Sequence, residues 1–408
     1  MPYDPETDPF EEPADDRASL PPEESAVAGV VPCPDVASYC DNVLGSLARQ
    51  DQRRWASMYV YGLLHARGRR TIRQAAQLSG DARYEQSLQQ VINQSPWLSE
   101  NVRRSVSERV LADHRPLAWV VKQAAFEKHG HLSAGVARQF VHEMDRLVNC
   151  QLAVTVLMVT AAGSVPLTWR LCLPPCWDGD AGRRRTAHIP DHLRHRPPAA
   201  EAVAVLDELS TGWGLPVTPV VFDDEFRRDA VGLAEDLDHR ELPYVVPIGR
   251  NELVVAPGQP AVPDPRCRRR PPPASSVADL VRSQHAGRRQ TLPWALPDGR
   301  PARSQFLSFP VRTARSRGHS RLRTLVVDWP LGREEPRGHW LTNVRGALPE
   351  ATELLTNRAS GRCCLAEMRS DLGLNDFQGR SYRGWNHHVT LVSAAQAYRL
   401  RSVRRNPA

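Results

Sequence analysis

The chain has 408 residues, a length that predicts two or three domains rather than one. Hydrophobic residues make up 41% of it, enough for a sizeable core, yet no apolar run reaches the roughly 18 residues of a membrane span. The acidic, proline-rich start lacks the basic region and the apolar stretch of a secretory signal. We therefore expect a cytoplasmic protein without a membrane partner.

Charge divides the chain unevenly. Residues 1–30 contain nine acidic side chains and one arginine, a net charge of −8, and this composition predicts a disordered acidic arm. Because the whole chain carries +7, the remainder carries +15. A body this basic suits a polyanionic partner, although an arginine-rich surface that is merely solvated would give the same count.

The eight cysteines and the paired histidines form no convincing metal-binding pattern. Paired C-x-x-C spacing is missing from the sequence, so we expect reduced structural thiols. His387 and His388 are adjacent, but buried or surface histidines are commoner than metal ligands. These residues predict no metal site.

Helical patterns fill residues 31–115. An apolar face over residues 58–64 is followed by shorter helical patterns at 72–78 and 84–92, with turn residues between them. Short helices joined by such turns are compatible with a DNA-binding module, although most small helical bundles bind no DNA.

Strand patterns dominate residues 116–252, with helices between the later strands. The predicted strands are residues 117–121, 136–140, 152–160, 167–173, 217–222 and 244–248. The predicted helices are residues 199–213 and 229–237. Strands followed by helices that lead into further strands indicate an α/β sheet.

Residues 253–347 are rich in proline and arginine over most of their length. The basic run at 266–270 and the prolines at 271–273 predict a partly β, loop-rich insertion with mobile basic segments. Strand patterns return at residues 307–311, 323–329 and 340–344. Helical patterns at 350–372 and 386–401 place the end of the core in residues 348–408.

Several short segments occur in a characteristic order. They are RQDQRR (49–54), QQVINQSPW (89–97), GVARQF (135–140), LGLNDF (372–377) and RGWNHH (383–388). In this order the chain resembles the bacterial insertion-sequence transposases of the DDE superfamily, from about residue 38 to residue 398. The resemblance implies an RNase H-like mixed sheet with flanking helices, interrupted by a partly β insertion and preceded by a helical N-terminal domain.

The chemistry of that family depends on three carboxylates that hold two divalent cations for DNA strand cleavage. The segments that match these positions contain Lys122 in place of the family Asp and Arg362 in place of the family Glu, whereas Asp223 is retained. Hard cations need anionic oxygen ligands, so the resemblance implies a degenerate site that holds no metal. We expect Lys122 and Arg362 to pair with Asp223 and to replace the missing metal charge.

The leading prediction is a catalytically inactive, DNA-binding relative of these transposases, as a co-opted regulator or an element remnant. Its partner is double-stranded DNA, and a homodimer is possible. The predicted DNA contacts are Arg49, Arg53, Arg54, Arg69, Arg70, Arg83, Arg183, Arg184, Arg185, Arg358 and Arg369.

Two alternatives stay open from the sequence. One is an active nuclease that binds Mg²⁺ or Mn²⁺ through a rearranged acidic set, formed by Asp223, Asp224 and Glu225 with Glu127 or Glu367. The other is a fold reused for a role that does not involve DNA, since a fold alone does not determine function.

Overall fold

The computed structural model describes residues 33–81, 83–257, 274–284, 286–295, 300–314, 321–344 and 348–405. The predicted acidic arm of residues 1–30 and the basic run of residues 266–270 lie outside these ranges. Among the helices that fall within them, none combines the length and the apolar character needed to cross a membrane.

Between residues 33 and 113, the described part of the chain contains five α-helices. They are α1 (Pro34–Val43), α2 (Gln50–His65), α3 (Ile72–Leu78), α4 (Tyr84–Gln89) and α5 (Ser99–Asp113). At the start of α3 the Thr71 hydroxyl accepts a hydrogen bond from the Gln74 N–H, and the Gln74 side chain accepts one from the Thr71 N–H. The helical character predicted for this part of the chain is confirmed.

A mixed sheet forms the core. Its strands are β1 (Pro116–Glu127), β2 (Ala137–Val141), β3 (Arg146–Thr160), β4 (Gly163–Cys172), β5 (Val220–Phe222) and β6 (Tyr244–Pro247). The spatial order is β4-β3-β1-β5-β6, with β2 also paired to β3. The pairs β1–β3 and β3–β4 are antiparallel, whereas β1–β5 and β5–β6 are parallel. This arrangement confirms the predicted RNase H-like α/β class.

The insertion extends the same sheet. Three helices of the core precede it: α6 (Ala181–Thr186), α7 (Pro198–Asp207) and α8 (Ala230–His239). The insertion itself contains β7 (Leu253–Val255), β8 (Ser275–Ser276), α9 (Val277–Arg282), β9 (Gln290–Ala295), β10 (Pro301–Thr313), β11 (Arg323–Pro330) and β12 (Gly338–Thr342). Strand β12 pairs antiparallel with β6, and β11 and β10 follow in order. The insertion and the core therefore share one continuous sheet.

The loop-rich expectation is wrong for residues 290–295 and 301–306, which belong to β9 and β10 and form an antiparallel pair. Strand β10 begins six residues before the predicted strand at 307–311. Buried and exposed positions alternate irregularly along β10, and Pro301 and Pro310 lie within it. The period of two that marks a half-buried strand is therefore missing from the sequence here.

Helices cover both faces of the core sheet. Helix α10 (Leu348–Asp371) packs on the face to which β1 contributes Ala118 and Val120. Trp119 and Val121 belong to the other hydrophobic cluster, which includes apolar residues of α7 and α8. Helix α11 (Tyr382–Arg405) packs against β4, α2 and α5, so it joins the N-terminal helices to the sheet.

Candidate functional site

Lys122 lies in the middle of β1. The sequence predicts that this strand ends at residue 121, but β1 continues to Glu127, and the apolar side chains of residues 124–126 are buried. Because side chains alternate between the faces of a strand, Lys122 lies on the same face as Ala118 and Val120. Its side chain is therefore buried beneath α10, where an unpaired ammonium group would be costly.

Asp223 directly follows β5 and is fully buried. The parallel register pairs Val121 with Phe222, and the Asp223 N–H donates to the Val121 carbonyl over 3.1 Å. Asp223 and Lys122 thus extend the register by one position and lie side by side. The sequence also predicts a strand that ends just before Asp223, although β5 begins at Val220 rather than at residue 217.

Helix α10 supplies two arginines to this face of the sheet. Arg358 and Arg362 are four residues apart, so they project from the same side of the helix. Gly361 allows the helix to come close: a Cβ added there would lie 2.9 Å from Val120 Cγ1. This close approach brings both guanidinium groups to the end of β5.

Asp223 is paired with three cations. Lys122 Nζ donates to Oδ2, and Arg362 donates to both carboxylate oxygens, with its Nε 2.7 Å from Oδ2. Arg358 Nε lies 3.7 Å from Oδ1. The backbone N–H of Asp224 adds a further hydrogen bond of 2.9 Å. All the anionic oxygen that Asp223 could offer to a ligand is thus already engaged by donors.

The 3₁₀ turn Asp224–Asp229 adds two more acids. Asp224 accepts hydrogen bonds from Arg358 over 3.0 Å and from Arg362 over 2.9 Å. Glu225 Oε1 lies 3.5 Å from Lys122 Nζ, and Glu225 Oε2 is buried without a hydrogen-bond partner among the described residues. Three cations and three carboxylates form this central ion cluster: Lys122, Asp223, Asp224, Glu225, Arg358 and Arg362.

The cluster holds its carboxylates in different protonation states. Burial by itself would raise the pKa of Asp223, but the charge of Lys122 and the hydrogen bonds from Arg362 hold that pKa well below its ordinary value. Burial raises the pKa of Glu225 to about 7, although the charge of Lys122 opposes this change. Asp223 is therefore an anion at neutral pH, whereas Glu225 is partly protonated.

The donor set does not fit the divalent cations that the DDE family implies. Mg²⁺ and Mn²⁺ need several oxygen ligands, and the ammonium group of Lys122 and the guanidinium group of Arg362 supply none. These groups also occupy the oxygens of Asp223. Within the described ranges, no group of three or more His, Cys, Asp or Glu side chains is placed to hold a metal ion.

The alternative acidic set is only partly assembled. Asp223, Asp224 and Glu225 do converge, because the 3₁₀ turn allows consecutive side chains to approach the same cations. Glu127, however, lies exposed at the end of β1, where Arg146 pairs with it at 3.6 Å. Glu367 is exposed and shows no contact with the cluster.

Most of the predicted DNA-contact arginines of the N-terminal helices are at the surface. Arg49, Arg54, Arg69 and Arg83 are exposed, and Arg53 is half-buried. Arg53 donates to the Leu47 carbonyl, and the guanidinium of the half-buried Arg70 donates to the carbonyls of residues 63, 68 and 370. In the core, Arg185 is exposed, whereas Arg183 stacks over Trp177 at 4.0 Å.

Two of the predicted DNA contacts have buried side chains, which leaves them poorly placed for DNA. Arg184 is 4% exposed and donates to the carbonyls of Pro190 and Leu193, so it closes a local loop. Arg358 is 8% exposed and belongs to the central ion cluster. Arg369 is partly buried and paired with Glu143 at 3.0 Å, which leaves it poorly placed for DNA.

Sequence reasoning missed Gly361 and the role of Arg358. A glycine inside a helix usually costs stability, so its presence in α10 could have indicated a close contact. The partner of that contact, Val120, lies far away in sequence and cannot be deduced from helical periodicity.

A mixed sheet ordered β4-β3-β1-β5-β6, with helices on both faces and an ion cluster where β1, β5 and α10 meet, defines an RNase H-like protein. Residues 42–299, more than half of the chain, match the family model of the DDE superfamily endonucleases. The chain belongs to this family.

A probable transposase for insertion sequence element IS701, from Microchaete diplosiphon, is similar in sequence. It is 25% identical over 188 residues, which cover 46% of this chain and 46% of that protein. The similarity therefore spans less than half of the length of this relative.

Proposed function

We propose that the chain is a DNA-binding member of the DDE superfamily that does not cut DNA. One observation carries the second part: Lys122 and Arg362 occupy the oxygens of Asp223 that a divalent cation would need. A buried carboxylate without any cation would be strongly destabilising. In this proposal the two residues compensate the buried charge of Asp223 and exclude metal from its oxygens.

DNA binding is supported by charge and by family membership. The residues after the first 30 carry a net charge of +15. Exposed arginines on and beside α2 and α3 form part of that charge, and phosphates attract them without regard to base sequence. We take Arg49, Arg53, Arg54, Arg69 and Arg83 as the first contacts, with Arg185 as an additional phosphate contact on the core.

The binding half is tested by fluorescence anisotropy with a labelled DNA duplex and the full-length protein. We expect saturable binding that weakens steeply between about 50 and 200 mM salt. Reversing charge with Arg54→Glu and Arg69→Glu lowers the affinity, whereas Glu353→Gln on the exposed side of α10 leaves it unchanged. A wild-type protein without affinity at low salt would refute DNA binding and favour a role without DNA.

The catalytic half is tested with supercoiled plasmid in the presence of Mg²⁺ or Mn²⁺. We expect the plasmid to stay supercoiled, because the cluster offers no metal site. Nicking by the wild-type protein that Asp223→Ala abolishes would instead establish the rearranged acidic site. The cluster would then have to open and release Asp223 before the reaction.

The exclusion of metal is tested separately by thermal unfolding with Mn²⁺. The wild-type protein should show no shift in melting temperature when Mn²⁺ is added. Lys122→Asp combined with Arg362→Glu places carboxylates at all three family positions and removes two cations from the cluster. That variant should be less stable without metal and should gain stability with Mn²⁺. A wild-type shift as large as that of the variant contradicts the proposal.

A further inference from the structure

A cleft of about 380 Å³ lies between the core and the insertion. Its wall includes residues of the turn after β5, the segment after β6, α9, the end of β11 and the loop before β12. Five arginines line it: Arg227, Arg250, Arg282, Arg289 and Arg337. It is separate from the central ion cluster, although Arg227 also pairs with Asp224 at 3.0 Å.

Two of these guanidinium groups are held in place. Arg289 stacks on Trp329 with its Cζ 4.0 Å from the ring centre, and the buried ring donates through Nε1 to the Glu334 carbonyl over 3.1 Å. Arg337 pairs with Asp328 at 2.6 Å and stacks on Trp294 at 3.9 Å. Fixing the side chains in advance reduces the entropy that a ligand must overcome.

The lining has an excess of positive charge. Its carboxylates are Glu334 and Glu335, against five arginines, within the part of the chain that the structure describes. Over the same ranges, neither Arg250 nor Arg289 forms a salt bridge with a carboxylate, unlike Arg227, Arg282 and Arg337. The cleft therefore has guanidinium donors that are available to an anion.

His339 adds a further polar group to the wall. Its Nε2 is buried and has no hydrogen-bond partner among the described residues. Burial, together with the charges of Arg227 and Arg250, lowers the pKa of His339 to about 4. The imidazole is therefore neutral at pH 7, and its unused nitrogen can donate to or accept from a bound group.

We propose that this cleft binds the phosphate group of a nucleotide. Planar guanidinium groups match phosphate oxygens in pairs, and the volume lies in the lower range of pockets for small ligands, about 300–1,000 Å³. The phosphate comes either from a free nucleotide or from a nucleotide within a DNA strand. The proposal concerns a site outside the family's carboxylate positions and stands whether or not the protein binds duplex DNA.

Isothermal titration calorimetry of the full-length protein tests the proposal with thymidine 5′-monophosphate, with thymidine as the ligand that lacks phosphate. We expect the monophosphate to bind and thymidine not to bind at the same concentration. Arg289→Gln should weaken binding by about tenfold or more, because it removes donors to a charged group. The matched control is Arg288→Gln, since Arg288 is exposed and lies outside the lining.

Arg289 also packs on Trp329, so Arg250→Gln provides a second variant at an exposed position without a stacked ring. The same variants are compared for duplex DNA affinity by anisotropy. If the lining variants weaken only the binding of the monophosphate, the phosphate comes from a free nucleotide. If they weaken only the binding of the duplex, it comes from a DNA strand. Equal effects of the lining variants and Arg288→Gln on both probes overturn the proposal. Binding of the monophosphate without binding of the duplex would refute the proposed DNA function but would support the proposal for the cleft.

Discussion

Asp223 is a fully buried carboxylate, and its ionised form depends on the surrounding cations to offset the cost of burial. Moving a carboxylate out of water costs several kcal/mol even after the protein relaxes, unless close cations and hydrogen bonds compensate. Lys122, Arg358 and Arg362 provide this compensation from two different elements, β1 and α10.

A double-mutant cycle measures the Lys122–Asp223 pair. Lys122→Met keeps the apolar part of the side chain but removes its charge, so we expect a loss of about 2–4 kcal/mol in the free energy of unfolding. Once Asp223→Asn has removed the anion, the same change should cost less, with a coupling of about 1–3 kcal/mol. The measurement is chemical denaturation of all four proteins.

The exposed pair Arg83–Asp81 serves as the control for that cycle. Arg83→Met should leave the denaturation midpoint unchanged, because solvent screens exposed ion pairs. Strictly additive effects of Lys122→Met and Asp223→Asn would show that the two charges do not stabilise each other.

Glu225 predicts a stability that depends on pH. Burial raises its pKa in the folded protein to about 7, above the value of about 4.3 expected when unfolded. The protonated Glu225 therefore stabilises the folded protein fully below the pKa of the unfolded chain. This stabilisation is lost as the pH rises through the pKa of Glu225 in the folded protein. Glu225→Gln should remove that decline and increase stability at pH 8, by on the order of 1–3 kcal/mol.

Denaturation at several pH values between about 4 and 8 checks this, with the exposed Glu353→Gln as the control variant. Asp223 has the opposite sign: its lowered pKa gives stability that is present above its ordinary pKa and lost in acid. A profile for Glu225→Gln that runs parallel to wild type would mean that folding leaves the pKa of Glu225 unchanged.

At the scale of elements, the periodicity of the sequence predicts which helices and strands carry the site, but it does not predict the contacts between them. The predicted helix at 350–372 matches α10, Leu348–Asp371, and the landmark at residues 372–374 places Arg362 on it. The end of β1 is wrongly predicted because Lys122 and Gln123 interrupt an apolar run that then resumes over residues 124–126. A charged residue on a buried face cannot be distinguished from a strand end until its partner is known.

The role of Arg358 cannot be deduced from the sequence for a related reason. An arginine on a helix is usually a surface charge, and its burial here depends on how closely α10 approaches β1. The burial of Arg184 cannot be deduced from the sequence either, because its carbonyl partners are six and nine residues away in a loop. Contacts between separate segments determine both positions.

The approach of α10 to β1 predicts opposite effects for two helical glycines. Gly361→Ala places a methyl group 2.9 Å from Val120 Cγ1, and overpacking of about 1–3 kcal/mol outweighs the gain in helix propensity. At Gly232, which is exposed in α8, an added methyl group would have no atom within 4 Å apart from the adjacent residues and the backbone of its own helix. Gly232→Ala should therefore stabilise the protein by about 0.5–1 kcal/mol.

Thermal unfolding of the two variants and the wild type compares these effects directly. If Gly361→Ala proves as stabilising as Gly232→Ala, the helix has room to move, and the packing argument for Arg358 and Arg362 fails.

At the scale of the molecule, one sheet connects the central ion cluster with the arginine-lined cleft. Strand β6 pairs with β5 on one side and with β12 of the insertion on the other. His339 lies in β12, and the His339 carbonyl accepts a hydrogen bond from the Ile248 N–H over 2.9 Å. The continuity of the sheet fixes the two regions relative to each other, a relation that separate strand patterns in the sequence do not indicate.

The distribution of charge over the whole chain leads to a prediction about DNA affinity. Residues 1–30 contribute −8, so a protein that lacks residues 1–32 has a net charge of +15 instead of +7. If the protein binds DNA as proposed, like charges repel, so we expect the acidic segment to compete with DNA for the arginines and to repel phosphate. We expect the truncated protein to bind duplex DNA about three- to tenfold more tightly at about 50 mM salt.

Charge can be separated from chain length with a second protein, in which the nine acids of the segment are replaced by their amides. Anisotropy titrations should give this variant and the truncated protein the same increased affinity. The difference from wild type should shrink as added salt screens the acidic charges. An amide variant that behaves like wild type, beside a truncated protein that binds more tightly, would show that the segment blocks DNA by its bulk and not by its charge.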